Sequence, residues 1–110
     1  MLGSLKEALR VLERHARILE LVSDNEPVGI ERLSELSGME WHKVRYSLRA
    51  LEREGIIRPS PRGAVLTEEA PERLRRVLEE LRSLKEDFEL LLERYERLAE
   101  RLEGREEGEG

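Results

Sequence analysis

The chain has no cysteine, no glutamine, one asparagine (Asn25), one threonine (Thr67) and one tryptophan (Trp41) among its 110 residues. Without cysteine there is no disulfide framework, no thiolate nucleophile and no cysteine metal site, which suits a reducing compartment. The two histidines, His15 and His42, are far apart in the chain, and neither sits in a metal-ligand spacing, so no metal is expected. No apolar run approaches the ~18–20 residues a membrane span needs, and Met1-Leu2-Gly3-Ser4 has no secretory pattern. A soluble cytoplasmic protein with no membrane association is therefore expected. There is no G-x-S-x-G turn and no phosphate-cradling glycine loop, and Ser, His and Asp are few. No catalytic residue, no cofactor and no enzymatic activity are expected.

What the chain does have is charge: 41% of residues are charged against 38% apolar, with a net charge of −5. Few amides beside abundant Glu and Arg fit a thermophile, where ion-pair networks are favoured, although a GC-rich coding bias produces the same arginines. The charge is unevenly spread. Residues 1–66 hold 11 Lys/Arg and 10 Asp/Glu, whereas residues 67–110 hold 9 and 15. Residues 40–62 carry six cations and three anions. Anion binding depends on the field of one face, so the overall acidity does not exclude a polyanionic partner.

Ser4-Leu5-Lys6-Glu7 has the form of a capping box and predicts a first helix starting there. Leu5, Leu9, Leu12, Ala16 and Leu19 recur at helical spacing, widened by Val11, Ile18 and Val22, a face broad enough to pack on two sides. The helix is expected to break at residues 23–27. A short helix is expected from Gly29 or Ile30 to Ser37, burying Ile30, Leu33 and Leu36, then a turn at Gly38 with positive φ. A further helix over residues 40–54 has Trp41, Val44, Leu48 and Leu51 on one stripe, with Trp41 expected as a core anchor, and Gly55 as its stop. Ile56-Ile57-Arg58 and residues 64–67 read as a β-hairpin whose tip holds Pro59, Pro61 and Arg62.

The last helix, expected near Pro71, is the most regular part of the chain. Leu74, Leu81, Phe88, Tyr95 and Leu102 repeat every seven residues, and Val77, Leu84, Leu91 and Leu98 interleave, a coiled-coil seam without a polar member. Leu78, Leu92 and Ala99 widen it. Gly104 is expected to end the helix, leaving residues 104–110 as a disordered acidic tail.

Helix, short helix, glycine turn, helix and hairpin is the order of a winged helix-turn-helix. From Ile30-Glu31-Arg32-Leu33 to Gly38-Met39, and from Lys43-Val44-Arg45-Tyr46 through the Leu48-x-x-Leu51-Glu52-x-x-Gly55-Ile56-Ile57 ending, the chain resembles small prokaryotic winged-helix regulators of the MarR- and ArsR-like superfamily. It looks most like archaeal regulators with a C-terminal dimerisation helix. The resemblance covers residues 28–70, and the metal-binding cysteines of some ArsR-like sensors are absent. It implies a mainly α fold with a small hairpin wing (residues 1–68), a dimerisation helix (residues 69–103) and the tail.

The implied function is sequence-specific binding of double-stranded DNA as a homodimeric transcriptional regulator on a pseudo-palindromic site. A helix in the major groove buries one face and offers polar, cationic side chains on the other. The outward residues are His42, Arg45, Tyr46, Arg49 and Arg53, and the family pattern assigns contacts to His42, Lys43, Arg45, Tyr46 and Arg49. Arg45 and Arg49 suit guanine edges, Tyr46 a sugar or phosphate, and Arg53, a turn too late for bases, the DNA backbone or an ion pair with neighbouring acids. Arg62 suits the minor groove, though charge and proline also protect an edge hairpin from aggregation. The nine seam residues from Leu74 to Leu102 are expected to dimerise, in a pairing direction that the flanking charges leave open. The competing reading is a winged-helix adaptor that docks other proteins through the acidic coil.

Overall fold

The structure, a computed structural model, describes residues 1–109. It is mainly helical with a small two-stranded antiparallel sheet: α1 (Gly3–Asn25), α2 (Ile30–Ser37), α3 (Trp41–Arg53), β1 (Ile57–Ser60), β2 (Gly63–Leu66) and α4 (Ala70–Glu109). Two compact units are resolved, Met1–Leu74 and the remainder of α4 from Arg75. No helix among the described residues is long and apolar enough to cross a membrane.

The capping box at Ser4 does not form. α1 starts at Gly3, so Ser4 already lies inside the helix, Leu2 stands at the cap, and no side chain caps the first turn. Glu7 turns instead to Arg10, 3.2 Å away. The second half of α1 is its structural half: Ile18, Leu21 and Val22 are buried, while Leu5, Leu9 and Leu12 stay exposed. Asn25 closes the helix by donating from Nδ2 to the Leu21 carbonyl at 2.8 Å.

α2 takes the expected bounds, with Leu33 fully buried and Ile30 and Leu36 only half-buried. At its end Gly38 has a φ of 72°, the left-handed conformation that a side chain would resist. Ser34 Oγ donates to the Met39 carbonyl at 2.5 Å and pins the turn between the two helices. α3 then buries Val44, Ser47, Leu48 and Leu51, spaced i, i+3, i+4 and i+7, against α1 and α2.

The hairpin differs from its expected form. β1 begins at Ile57 rather than Ile56 and runs through Pro59 to Ser60, so the turn shrinks to Pro61-Arg62. A bridge between Val28 and Ala64 adds a third backbone segment, with N–H to carbonyl distances of 3.1 and 2.8 Å. That approach explains Gly63: with φ at 126°, a Cβ on it would overlap the Val28 carbonyl. Ile56, Ile57, Val28 and Ala64 close the core from this side.

α4 is 40 residues long, about 60 Å. The helix does not stop at Gly104 but continues to Glu109, while Gly110 lies outside the described residues. A glycine ends a helix when it takes a left-handed conformation; Gly104 does not take one. Inside a helix it costs only ~1 kcal/mol relative to alanine. From Arg75 onward the seam is uncovered, with Leu81, Leu84, Phe88, Leu91, Tyr95, Leu98 and Leu102 all exposed. Val77 is half-buried.

Candidate nucleic-acid interface

A helix turns by about 100° per residue, so burying Val44, Ser47, Leu48 and Leu51 dictates what faces away. His42, Arg45, Tyr46, Arg49 and Arg53 form the opposite strip of α3, and all are exposed. Lys43, exposed as well, lies on the flank of that strip rather than at its centre. His42 Nδ1 is 3.2 Å from Glu40 Oε2, in an exposed pair at the helix start.

Trp41 is not the core anchor that its spacing suggests. It is 54% exposed. The i, i+3 relation to Val44 is real, but Trp41 is the first residue of α3, and the buried residues of the helix begin at Val44. The buried stripe includes Ser47 instead, the only polar side chain among the buried residues described. Trp41 thus joins His42 on the exposed end of the helix.

Ser47 is partnered from α1. Its Oγ lies 2.8 Å from His15 Nδ1, so that no buried side-chain polar atom among the described residues lacks a partner. The same imidazole lies against Tyr46, with ring centroids 5.6 Å apart and planes tilted by 37°. One histidine therefore locks the inner face of α3 and braces an aromatic ring on the outer face. Burial holds the His15 pKa below its ordinary value of 6.5, and the positive charges of Arg14 and Arg53 lower it further. Sequence reasoning missed this group, because a lone histidine has no periodic partner. The available signal was Ser47 itself, a hydroxyl at an inward position that had to find a partner.

On the wing, Arg58 is exposed within β1, and Arg62 is exposed in the two-residue turn. Ser60 Oγ donates to the Gly63 carbonyl at 2.6 Å, stiffening that tip. The hairpin packs on α3 through β1 within the same unit. No group of three His, Asp or Glu side chains suited to holding a metal occurs among the described residues.

A family model described as "Bacterial protein of unknown function (DUF977)" matches residues 6–98, most of the chain. The chain belongs to the DUF977 family. The match runs from the first helix of this DUF977 protein through the hairpin and along most of α4. The chain is also similar to the HTH-type transcriptional regulator GlpR of Haloferax volcanii, being 45% identical over 53 residues. That stretch is 48% of this chain and 21% of the regulator, so the chain spans about a fifth of that relative's length.

Proposed function

We propose that this protein is a winged helix-turn-helix transcriptional regulator that binds double-stranded DNA sequence-specifically as a homodimer. The observation that carries the reading is the two-sided character of α3. Val44, Ser47, Leu48 and Leu51 are buried, and His42, Arg45, Tyr46 and Arg49 are exposed opposite them. The likeness to a regulator named as HTH-type over about half of this chain points the same way.

In this reading α3 lies in the major groove, where Arg45 and Arg49 donate paired hydrogen bonds to guanine edges. His42, Lys43 and Tyr46 contact flanking phosphates or sugars. Arg62 at the tip of the wing enters the minor groove. The seam from Leu74 to Leu102 pairs two copies, because apolar side chains repeating over four heptads of an exposed helix are best buried against an identical seam. Two recognition helices related by a two-fold axis then read a pseudo-palindromic site.

The net −6 of residues 67–110 favours a second reading, a protein adaptor whose acidic coil docks a basic partner. A titration with duplex DNA separates the two. A regulator binds with log K falling linearly as log salt rises, by about 0.9 per phosphate neutralised. Arg49→Ala then costs on the order of 1–3 kcal/mol at a specific site. Absent or salt-insensitive binding at low ionic strength overturns the DNA reading and leaves the adaptor.

A further inference from the structure

The exposed strip of α3 is not the only cationic surface of the first unit. Arg10, Arg14 and Arg17 stand one turn apart on a single face of α1, and with Glu13 and Met39 they line one shallow groove of about 380 Å³. Met39 leads through Glu40 directly into Trp41 and His42, so the groove borders the exposed end of α3. A second junction lies along the helix, where His15 of α1 rests against Tyr46 of α3. The arginine face of α1 therefore meets α3 at the start of that helix, through Met39, while His15 joins the two helices on another side of α1.

The arginines are free to take an anionic ligand. Arg10 and Arg17 hold only exposed one-turn pairs, with Glu7 at 3.2 Å and Glu20 at 3.8 Å, and such pairs exchange readily for a phosphate. Among the described residues Arg14 has no carboxylate within ion-pair distance. Where the two helices meet, Arg14 from α1 and Arg53 from α3 both add to the effect of burial in disfavouring a charged imidazole at His15, while Glu13 is the one acid lining the groove.

We propose that Arg10, Arg14 and Arg17 form a second phosphate-binding strip that grips the DNA backbone beside the groove occupied by α3. This rests on the DNA reading above and extends it. α1 is then a clamp as well as a structural helix, and it carries no sequence information, because phosphate contacts position without specifying. The strip adds three cations beside the six of residues 40–62, and binding follows the field of that face rather than the net charge of −5.

The test is the salt dependence of full-length protein binding to a random-sequence 30-base-pair duplex, read by fluorescence anisotropy. Arg10→Gln/Arg14→Gln/Arg17→Gln should reduce the magnitude of the log–log slope by roughly 2–3 and weaken binding on the order of 10²-fold at 0.1 M salt. Arg94→Gln/Arg97→Gln/Arg101→Gln makes the same charge change on α4 and should leave the slope unaltered. Should the first variant unfold, Arg10→Gln/Arg17→Gln removes only exposed side chains and should reduce the slope by roughly 2. An unchanged slope in folded variants, or equal losses in the α1 and α4 variants, overturns the clamp while leaving the DNA reading intact. No binding by the unaltered protein overturns both.

Discussion

Replacing Ser47 by alanine should destabilise the first unit by about 1 kcal/mol, through the loss of one contact. The Ser47 hydroxyl is fully buried, and its Oγ lies 2.8 Å from His15 Nδ1. A buried hydrogen bond of this kind contributes about 0.5–1.5 kcal/mol, and stranding a polar partner costs ~1–3 kcal/mol. Because His15 is only half-buried, water reaches the abandoned nitrogen, which places the loss near 1–2 kcal/mol. Alanine returns up to ~0.5 kcal/mol of helix propensity. The net change corresponds to a Tm lowered by roughly 4–8 °C for a unit of this size, measured by circular dichroism at pH 7.5. The same contact predicts a pH dependence. The folded protein holds the His15 pKa below 6.5, mainly by burial, so below pH 6.5 the unfolded chain binds more protons than the folded one. Stability is therefore full above pH 6.5 and declines as pH falls towards the folded-state pKa. Urea melts at pH 5.5, 6.5 and 7.5 should show that decline in the natural protein and a flatter profile in His15→Gln. An unchanged Tm in Ser47→Ala, together with parallel pH profiles for the natural protein and His15→Gln, would refute the argument.

Leu33→Ala removes a fully buried side chain where α2 meets the core and should cost about 2–5 kcal/mol in denaturant melts. Gly63→Ala drives a methyl group into the Val28 carbonyl at a positive φ, and should destabilise the hairpin by more than 1 kcal/mol, a typical surface substitution costing ~0.5 or less. Its measurable sign is loss of amide-exchange protection at Ala64, whose N–H donates to that carbonyl at 2.8 Å. Leu84→Lys/Leu91→Lys interrupts the α4 seam and should convert a dimer to a monomer in light scattering after gel filtration, with the first unit still folded.

The elements that reading the sequence recovers best are those with a period. The bounds of α2 and the Val44, Leu48 and Leu51 stripe of α3 follow from spacings of three and four, because burial of one face imposes those spacings, and the turn at Gly38 follows from the glycine between them. The exposed strip of α3 follows as the complement of the buried one. What escapes is whatever depends on where an element meets something else. Trp41 has core spacing but is exposed at the first position of α3. Val28 bridges Ala64 although one residue of extended chain has no pattern at all. His15 and Ser47 lie 32 residues apart, and nothing local marks them as partners. Gly104 reads as a stop, yet it acts as one only with a positive φ, which it does not adopt.

The central claim is that α3 reads duplex DNA in pairs, and a selection of random-sequence duplexes by the full-length protein tests it most directly. The account predicts enrichment of an inverted repeat whose half-sites are centred ~10–10.5 base pairs apart, or a multiple of that. It further predicts that Arg45→Ala and Arg49→Ala each relax the preference at specific positions of the half-site. A pool that emerges unenriched, or an enriched motif that neither substitution alters, would contradict it.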